Sequence, residues 1–359
     1  MFQTFNIIIR FMCGIAGIIG NSEHPINKEV LKDMTSCLSH RGPDGMGCYI
    51  NEPVSTHVGF GHRRLSIIDL SAHASQPMCN EDGTVWITFN GEIYNYNEIK
   101  SNLLKKGHAF KSDSDTEVII HGYEEYGENI FNKLNGMFAF GLWDSKLESL
   151  YLVRDRFGQK PLYYWCSEGV LVFASELKSL IKYPGLNHEI DYKSLSRYLT
   201  HGYIPAPYCI FKNTYKLLPG FFLKWHNKDI SIKPYWQLSF QNQNGIKYDT
   251  VAEIEDQLIE LLKISIKRRL MSDVPLGVFL SGGIDSSSIV ALASEFVPER
   301  ELKTFSIGFS EASFDESGYA REVARHFNTD HHEQILTSEK MLNIIPDIFD
   351  FMDEPFSLM

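Results

Sequence analysis

The feature that most constrains this chain is a change in the period of its apolar pattern close to residue 240. Up to about Trp225 the apolar residues gather in short runs, CGIAGIIG, TVWITFNG, GMFAFGLWD, SLYLVRD and GVLVFAS, separated by turn signals such as Asp82-Gly83 and the polar DSKLES. Runs this short, closed by turn residues, predict antiparallel hairpins. Helical patterns interrupt them within residues 26–40 and from about Thr116 to Tyr126, so the class of this segment is α+β. After Trp236 the polar stretch SFQNQNGIKYDT reads as a linker, and beyond it Ile254, Leu258, Leu261 and Leu262 repeat at helical spacing. A strand at LGVFL, the loop SGG, a helix over about 285–296, a strand at KTFSIGF, a helix around EVARHF and a strand at HHEQIL then alternate, which requires a parallel sheet. At 359 residues the chain is long enough for two units with a core each. The expected division is an extension or misassigned start over 1–12, a first domain over 13–226, a linker over 227–250 and a second domain over 251–359.

Composition narrows the function classes. With 34 basic against 45 acidic residues and a net charge of -11, the chain would repel a phosphate backbone, and no basic patch offsets this, so nucleic acid is not an expected partner. Cys13, Cys37, Cys48, Cys79, Cys166 and Cys209 lack the CxxC spacing of a zinc or redox pair and fit a reducing cytosol. The run Ile7 to Ile9 is far short of the ~20 apolar residues that cross a bilayer, so a cytoplasmic location is expected.

Several residues carry chemistry. Cys13 directly follows Met12; with that methionine removed it would hold a thiol and a free α-amine, whose reference pKa near ~8 suits it to take the thiol proton without a histidine. The run FNGEIYN offers the Asn90 amide and the Gly91 N–H as donors to a developing oxyanion, although Asn-Gly also fits an ordinary turn. Arg64 can hold a carboxylate with two prongs, and Asp115, helped by Glu92, can accept from an ammonium; Asp115 is equally well placed to cap a helix. Farther on, VFLSGGIDSSS sets a small-residue turn between a strand and a helix N-terminus. There Ser281, Gly282, Gly283, Ser286 and Ser287 can wrap a pyrophosphate, although close helix-to-strand packing explains the glycines too. No GxxxxGK[ST] is present, so this is not a Walker loop. His331 and His332 are neighbours on a strand and point to opposite faces, which favours packing over metal binding.

The strings MCGIAG, HRGPDG, RLSIID, FNGEIYN, SDTEVI, GMFAF, RDRFGQKPLYY and FASE, in this order, resemble the amidotransferase domain of glutamine-hydrolysing asparagine synthetases. SGGIDS is similar to the pyrophosphate loop of the ATP pyrophosphatase domain that follows it in that family, as does FDESGYAREVARHFNTDHHE. The resemblance implies a four-layer αββα fold of N-terminal nucleophile hydrolases, then part of an α/β ATP-pyrophosphatase domain. It implies Cys13 as nucleophile, Asn90 and Gly91 at the oxyanion, and Arg64, Ile67, Ile68, Asn90, Glu92 and Asp115 around glutamine. Gly42 and Pro43 of HRGPDG are expected to form a loop. ATP would meet Leu280 and Ile307 through its adenine or ribose and the SGGIDSS loop through its phosphates, with Asp285 helping to hold Mg²⁺.

The implied partners are glutamine, aspartate and ATP with Mg²⁺, without a prosthetic group or a membrane, in a chain expected to form a homodimer. The reaction would free ammonia from glutamine and amidate the β-carboxylate of aspartate through an acyl adenylate. Eleven residues precede Met12, and with them attached Cys13 has no free amine; an overcalled start or a removable propeptide is expected. The sequence ends shortly after DEPF, ahead of the family's second nucleotide loop. Glutaminase chemistry without a complete synthetase step is therefore expected, with sheet edges and apolar faces left open. Two other readings stay open: an amidotransferase acting on another carboxylate, such as an envelope sugar acid, and a noncatalytic binding module.

Overall fold

The computed structural model describes residues 12–356 except 22, 52–55, 241–249 and 312, so all of the expected N-terminal extension but Met12 lies outside the described residues. Contacts divide the chain into one unit of Met1–Leu238 with Met352–Met359 and another of Ser239–Phe351.

Among the described residues, twelve strands build the first unit. They are β1 (Gly14–Asn21), β2 (Gly45–Ile50), β3 (Thr56–Arg64), β4 (Met78–Cys79), β5 (Val85–Ile93), β6 (Gly136–Asp144), β7 (Ser149–Arg154), β8 (Tyr163–Ser167), β9 (Val170–Ala174), β10 (Thr214–Lys216), β11 (Phe221–His226) and β12 (Asp229–Pro234). They form two six-stranded sheets, ordered β10-β8-β9-β1-β3-β2 and β12-β11-β7-β6-β5-β4, with every pairing antiparallel.

Strand alternation sorts the side chains into layers. On β1, Ile15 and Ile19 pack with Phe60, Phe173, Trp143, Leu152 and Trp225 between the sheets. Ala16 and Ile18 face the other way, onto Leu31, Met34 and Leu177. These come from α1 (Lys28–Ser36) and the later α5 (Leu177–Leu180). The opposite sheet turns Ile87, Phe89, Phe138 and Phe140 toward Ile99, Leu103, Val118 and Phe131. Those residues sit on α2 (Tyr96–Lys105), α3 (Glu117–Tyr126) and α4 (Ile130–Lys133). Helix, sheet, sheet, helix is the four-layer αββα sandwich. The helix α2, with Ile99 and Leu103 as its buried stripe, was not expected from sequence because its other apolar residue, Leu104, is 51% exposed and blurs the period. Helix α6 (Tyr192–His201) follows and ends on Gly202 in the left-handed region.

Residues 229–234, expected within the linker, form strand β12 against β11. The strand is an edge whose Asp-Ile-Ser-Ile alternation spans only two apolar residues, Ile230 and Ile232, which stay 36% and 43% exposed, so it buries no full apolar face. The described residues from Met352 on belong to the first unit, where the expected division had placed them in the second: the Asp353 carboxylate accepts the Leu177 N–H (2.7 Å) at the start of α5.

The second unit holds a three-stranded parallel sheet, β13 (Gly277–Phe279), β14 (Lys303–Phe309) and β15 (Asp330–Leu336), in that order. Its helices are α7 (Val251–Arg269), α8 (Ile284–Ala293), α9 (Ser317–His326) and α10 (Ser338–Phe351). A capping box of Thr250 and Glu253 starts α7. The core is small, Leu280, Val290, Ala293, Leu302, Ala320 and Ala324. Ile254, Leu258 and Leu261 on α7 and Leu342 and Phe349 on α10 are exposed apolar residues. His331 reaches Thr304 Oγ1 (2.9 Å) while His332 stacks on Phe305, so the two rings do face different neighbours.

Candidate active site

One cavity of about 200 Å³ opens in the first unit where the start of β1, the end of β3 and the second half of β5 come together. Cys13, Arg64, Ile67, Ile68, Asn90, Gly91, Glu92 and Asp115 all line it, although they come from positions up to a hundred residues apart. Every residue expected around glutamine is thus gathered in one place. Lys160, Gln76 and Thr116, which sequence did not single out, line it as well.

Cys13 stands immediately before β1, the strand held between β9 and β3. Its Sγ is met by the Leu65 N–H at 3.3 Å, and Arg41 Nε donates to its carbonyl at 3.0 Å. Burial pushes the thiol above its ordinary range; the Leu65 hydrogen bond and the charges of Lys160 and Arg64 act in the opposite direction. Arg41 in turn donates to Glu176 Oε1 at 2.6 Å, and the ring of His40 approaches the same carboxylate. Burial opposes ionisation of Glu176, but His40 and Arg41 hold its carboxyl down at about 2. This explains two motif strings at once. Arg41 of HRGPDG and Glu176 of FASE form a buried ion pair behind Cys13, a link that no spacing argument could supply because 135 residues separate them.

Asn90 and Gly91 lie inside β5, opposite Ala139 and Phe138 of β6, so the Asn-Gly pair is strand and not turn. Asn90 is buried, and among the described residues neither its Nδ2 nor its Oδ1 has a hydrogen-bond partner. A buried amide left unpaired on both atoms costs stability unless something else fills its place. Packing also demands glycine at 91: a Cβ there would stand 2.2 Å from the Met137 carbonyl oxygen and 2.7 Å from Phe138 Cα on the neighbouring strand. His62 pins this strand from the other sheet, its Nε2–H donating to the Phe89 carbonyl at 3.0 Å, and burial lowers the ring to about 4, so it stays neutral.

At the other end of the cavity Arg64 donates to the carbonyls of Ser71 (2.9 Å) and Asp69, which ties the guanidinium to the loop carrying Ile67 and Ile68. Asp115 is not the helix cap that its position suggested. Thr116 stands at the N-cap of α3, and the Asp115 carboxylate accepts the Ile93 N–H at 2.8 Å. Burial drives this carboxyl up to about 7 despite that hydrogen bond, and the neighbouring charge of Glu92 adds to the rise. Gln76 crosses the cavity wall, taking the Phe89 N–H at 2.7 Å and donating to Thr116 Oγ1 at 3.2 Å. Lys160 Nζ is the buried cation of the site, and desolvation lowers its pKa against the pull of Glu92.

In the second unit a cavity of about 190 Å³ is lined by Leu280, Ser281 and Ile307 together with Ser306, Phe309 and Phe314. Gly282, Gly283, Asp285, Ser286 and Ser287 are not among its lining residues; they form the adjoining loop and the first turn of α8. Ser286 Oγ accepts the Ser281 N–H at 3.2 Å and lies 3.0 Å from Ser281 Oγ, which folds the loop on itself. Gly282 has φ +84, and a Cβ there would stand 2.5 Å from Tyr319 Cβ, so both conformation and packing demand glycine. Ser287 Oγ is buried without a partner among the described residues.

Comparison with known proteins agrees with this division. Residues 12–236 match the family described as glutamine amidotransferase domain, and residues 257–358 match asparagine synthase. Asparagine synthetase [glutamine-hydrolyzing] 1 of Bacillus subtilis is 40% identical over 96% of this chain, which spans 54% of that protein. A relative of Methanocaldococcus jannaschii, named among the same synthetases, is 37% identical over 96% of this chain and 69% of its own length. The chain spans about half to two thirds of the length of these relatives. Two matched domains in the same order, over almost the whole chain, place it in the family of glutamine-hydrolysing asparagine synthetases.

Proposed function

We propose that the first unit hydrolyses glutamine at Cys13 and that the second binds ATP with Mg²⁺ for the amidation of aspartate to asparagine. The observation that carries this reading is the unpaired, buried amide of Asn90 beside the Cys13 thiol, in a cavity that has a cation at Arg64 and carboxylates at Asp115 and Glu92. An amino-acid amide has complementary groups: an α-carboxylate for Arg64, an α-ammonium for Asp115 and Glu92, and a carboxamide whose oxygen would take donors from Asn90 Nδ2 and the Gly91 N–H. The cavity volume suits a molecule of that size.

Thiol attack on the carboxamide carbon forms a tetrahedral adduct with its charge on the former carbonyl oxygen. The thiol proton leaves with ammonia, and water then cleaves the glutamyl thioester to glutamate. The raised thiol of Cys13 makes a base essential, and a free α-amine on the same residue would be that base once Met12 is absent. Arg41, by holding the Cys13 carbonyl, fixes the rotation of the residue that attacks.

In the second unit the loop N–H groups at the start of α8 suit a pyrophosphate, and the unpaired Ser287 hydroxyl is a further donor. Asp285 in the first turn of α8 is the carboxylate that would hold Mg²⁺, which commonly takes only one or two protein carboxylates beside phosphate oxygens. When bound, the nucleotide would activate the aspartate β-carboxylate as an acyl adenylate. Unpaired thiols at all six cysteines suit a cytoplasmic setting.

Glutamate release, measured beside ATP-dependent asparagine and AMP formation, tests the two halves separately. Hydrolysis that survives Cys13→Ala would sink the first, and AMP formation driven equally well by unrelated carboxylates would sink the choice of aspartate.

A further inference from the structure

A second cluster of reactive side chains stands on the helical face of the first unit and plays no part in the reaction above. It joins the loop after α2 to α3. His108 lies in the loop, and His121 and Glu124 lie on one face of α3 at i and i+3. One carboxylate oxygen serves both rings: Glu124 Oε2 is 2.8 Å from His121 Nδ1 and 3.8 Å from His108 Nδ1, and one ligand atom from each residue falls within 4.8 Å of the others.

The outer nitrogens are what make this more than a chance grouping. His108 Nε2 faces Glu125 Oε2 at 3.3 Å, while His121 Nε2 faces Glu117 Oε1 at 3.6 Å and Glu81 Oε1 at 3.7 Å. Each histidine therefore aims one nitrogen at the shared point and backs the other with a carboxylate, the arrangement that orients metal-ligating imidazoles. The third ligand is supported in the same way, because Asn80 Nδ2 donates to Glu124 Oε1 at 2.7 Å and leaves Oε2 directed at the two rings. The ring of Phe110 closes one side, edge to face on His121, and His121 itself is 2% exposed while His108 and Glu124 keep a path to solvent at 18% and 26%.

We propose that His108, His121 and Glu124 bind one divalent cation of the zinc class, with water completing the shell. Two imidazoles select this class over Mg²⁺ or Ca²⁺, which take oxygen ligands. Zinc bonds of ~2.1 Å in a tetrahedron place ligand atoms roughly 3.4 Å apart, so His121 and Glu124 part slightly and His108 swings inward from its exposed loop. Glu117, Glu125 and Glu81 surround the site with negative charge that a dication offsets. The bound ion would fasten the loop after α2 to α3, the helix that follows directly on Asp115 of the glutamine cavity. This proposal is independent of the glutaminase reading.

The test uses the full chain, stripped with a chelator, and ZnCl₂ alone in titration calorimetry, with CoCl₂ followed by visible absorption for the ligand set. One equivalent is expected, with binding at least tenfold weaker in His108→Ala and in Glu124→Gln and unchanged in Cys13→Ser. His108 lies outside the cavity that holds Cys13, so its variant keeps the glutaminase rate. Absence of binding, or wild-type binding in both His108→Ala and Glu124→Gln, overturns the site. Loss in Cys13→Ser with retention in His108→Ala moves the ion to the thiol and overturns it equally.

Discussion

Asp115 offers the sharpest test of how this site is built, because its isosteric variant Asp115→Asn should make the protein more stable and less able to bind glutamine. The carboxyl is buried and raised from 3.8 to about 7. At ~1.4 kcal/mol for each pH unit, that interval sets a ceiling of ~4 kcal/mol on what its ionisation costs the unliganded fold. The sign follows from proton counting. Between pH 4 and 7 the folded chain holds a proton on Asp115 that the unfolded chain has released, so this group's contribution falls as pH rises through that window and stays lost above it. Asparagine keeps an oxygen for the Ile93 N–H and removes the titration. Asp115→Asn should therefore be more stable than wild type by ~1 to ~4 kcal/mol at pH 8 and equal to it near pH 4, a difference of roughly 2–4 °C in melting temperature per kcal/mol for a unit this size. All five tryptophans lie at or before Trp236, so intrinsic fluorescence reports the unfolding of the first unit selectively. On the proposed reading the glutamine ammonium would supply the missing counter-charge in wild type, and the KM for glutamine should rise as pH falls below 7. A variant that is no more stable at pH 8, or equally stabilised at pH 4, would show that Asp115 is not held as a strained carboxylate; one that hydrolyses glutamine normally would remove it from the site.

Further outcomes follow from the same geometry. Arg41→Met removes a charged hydrogen bond from the buried Glu176, which keeps His40 and Lys178, and frees the Cys13 carbonyl; a loss of ~1.5–3 kcal/mol in urea unfolding is expected, and a smaller loss when Arg41→Met is made in a Glu176→Gln background would show that the weakened pairing of the charge is the cause. Gly91→Ala drives a methyl into the Met137 carbonyl, so a destabilisation of ~1–3 kcal/mol or more should appear even without glutamine, by thermal melting. A chain that keeps Met12 should hydrolyse glutamine at least a hundredfold more slowly than one that starts at Cys13, read by glutamate release alongside intact mass, since only the latter has the amine base. Gly282→Ala should weaken ATP binding at least tenfold in titration calorimetry while glutaminase activity persists, because the methyl meets Tyr319 and the backbone stays in a region that favours glycine.

Much of this protein was legible in one dimension wherever the chemistry is local. Short apolar runs closed by Asp82-Gly83 or DSKLES are hairpins whatever surrounds them, and a strand, SGG and a helix in succession set free N–H groups at a helix start, so the change from hairpins to strand-helix alternation follows from neighbours in the chain. Motif strings likewise named Cys13, Arg64, Asn90 and Asp115. Their meeting was beyond sequence, since the cavity forms only when β1, β3 and β5 of two facing sheets align. The same limit hid the pairing of the short run Asp-Ile-Ser-Ile with β11 that makes it strand β12, and the ion pair of Arg41 with Glu176. It left Asp115 between two roles, since a residue just before a predicted helix can cap it unless a strand N–H, here that of Ile93, competes for its carboxylate. Burial is a property of the assembled layers, and it is burial that raises Asp115 and Cys13, lowers Lys160 and leaves the Asn90 amide without a partner.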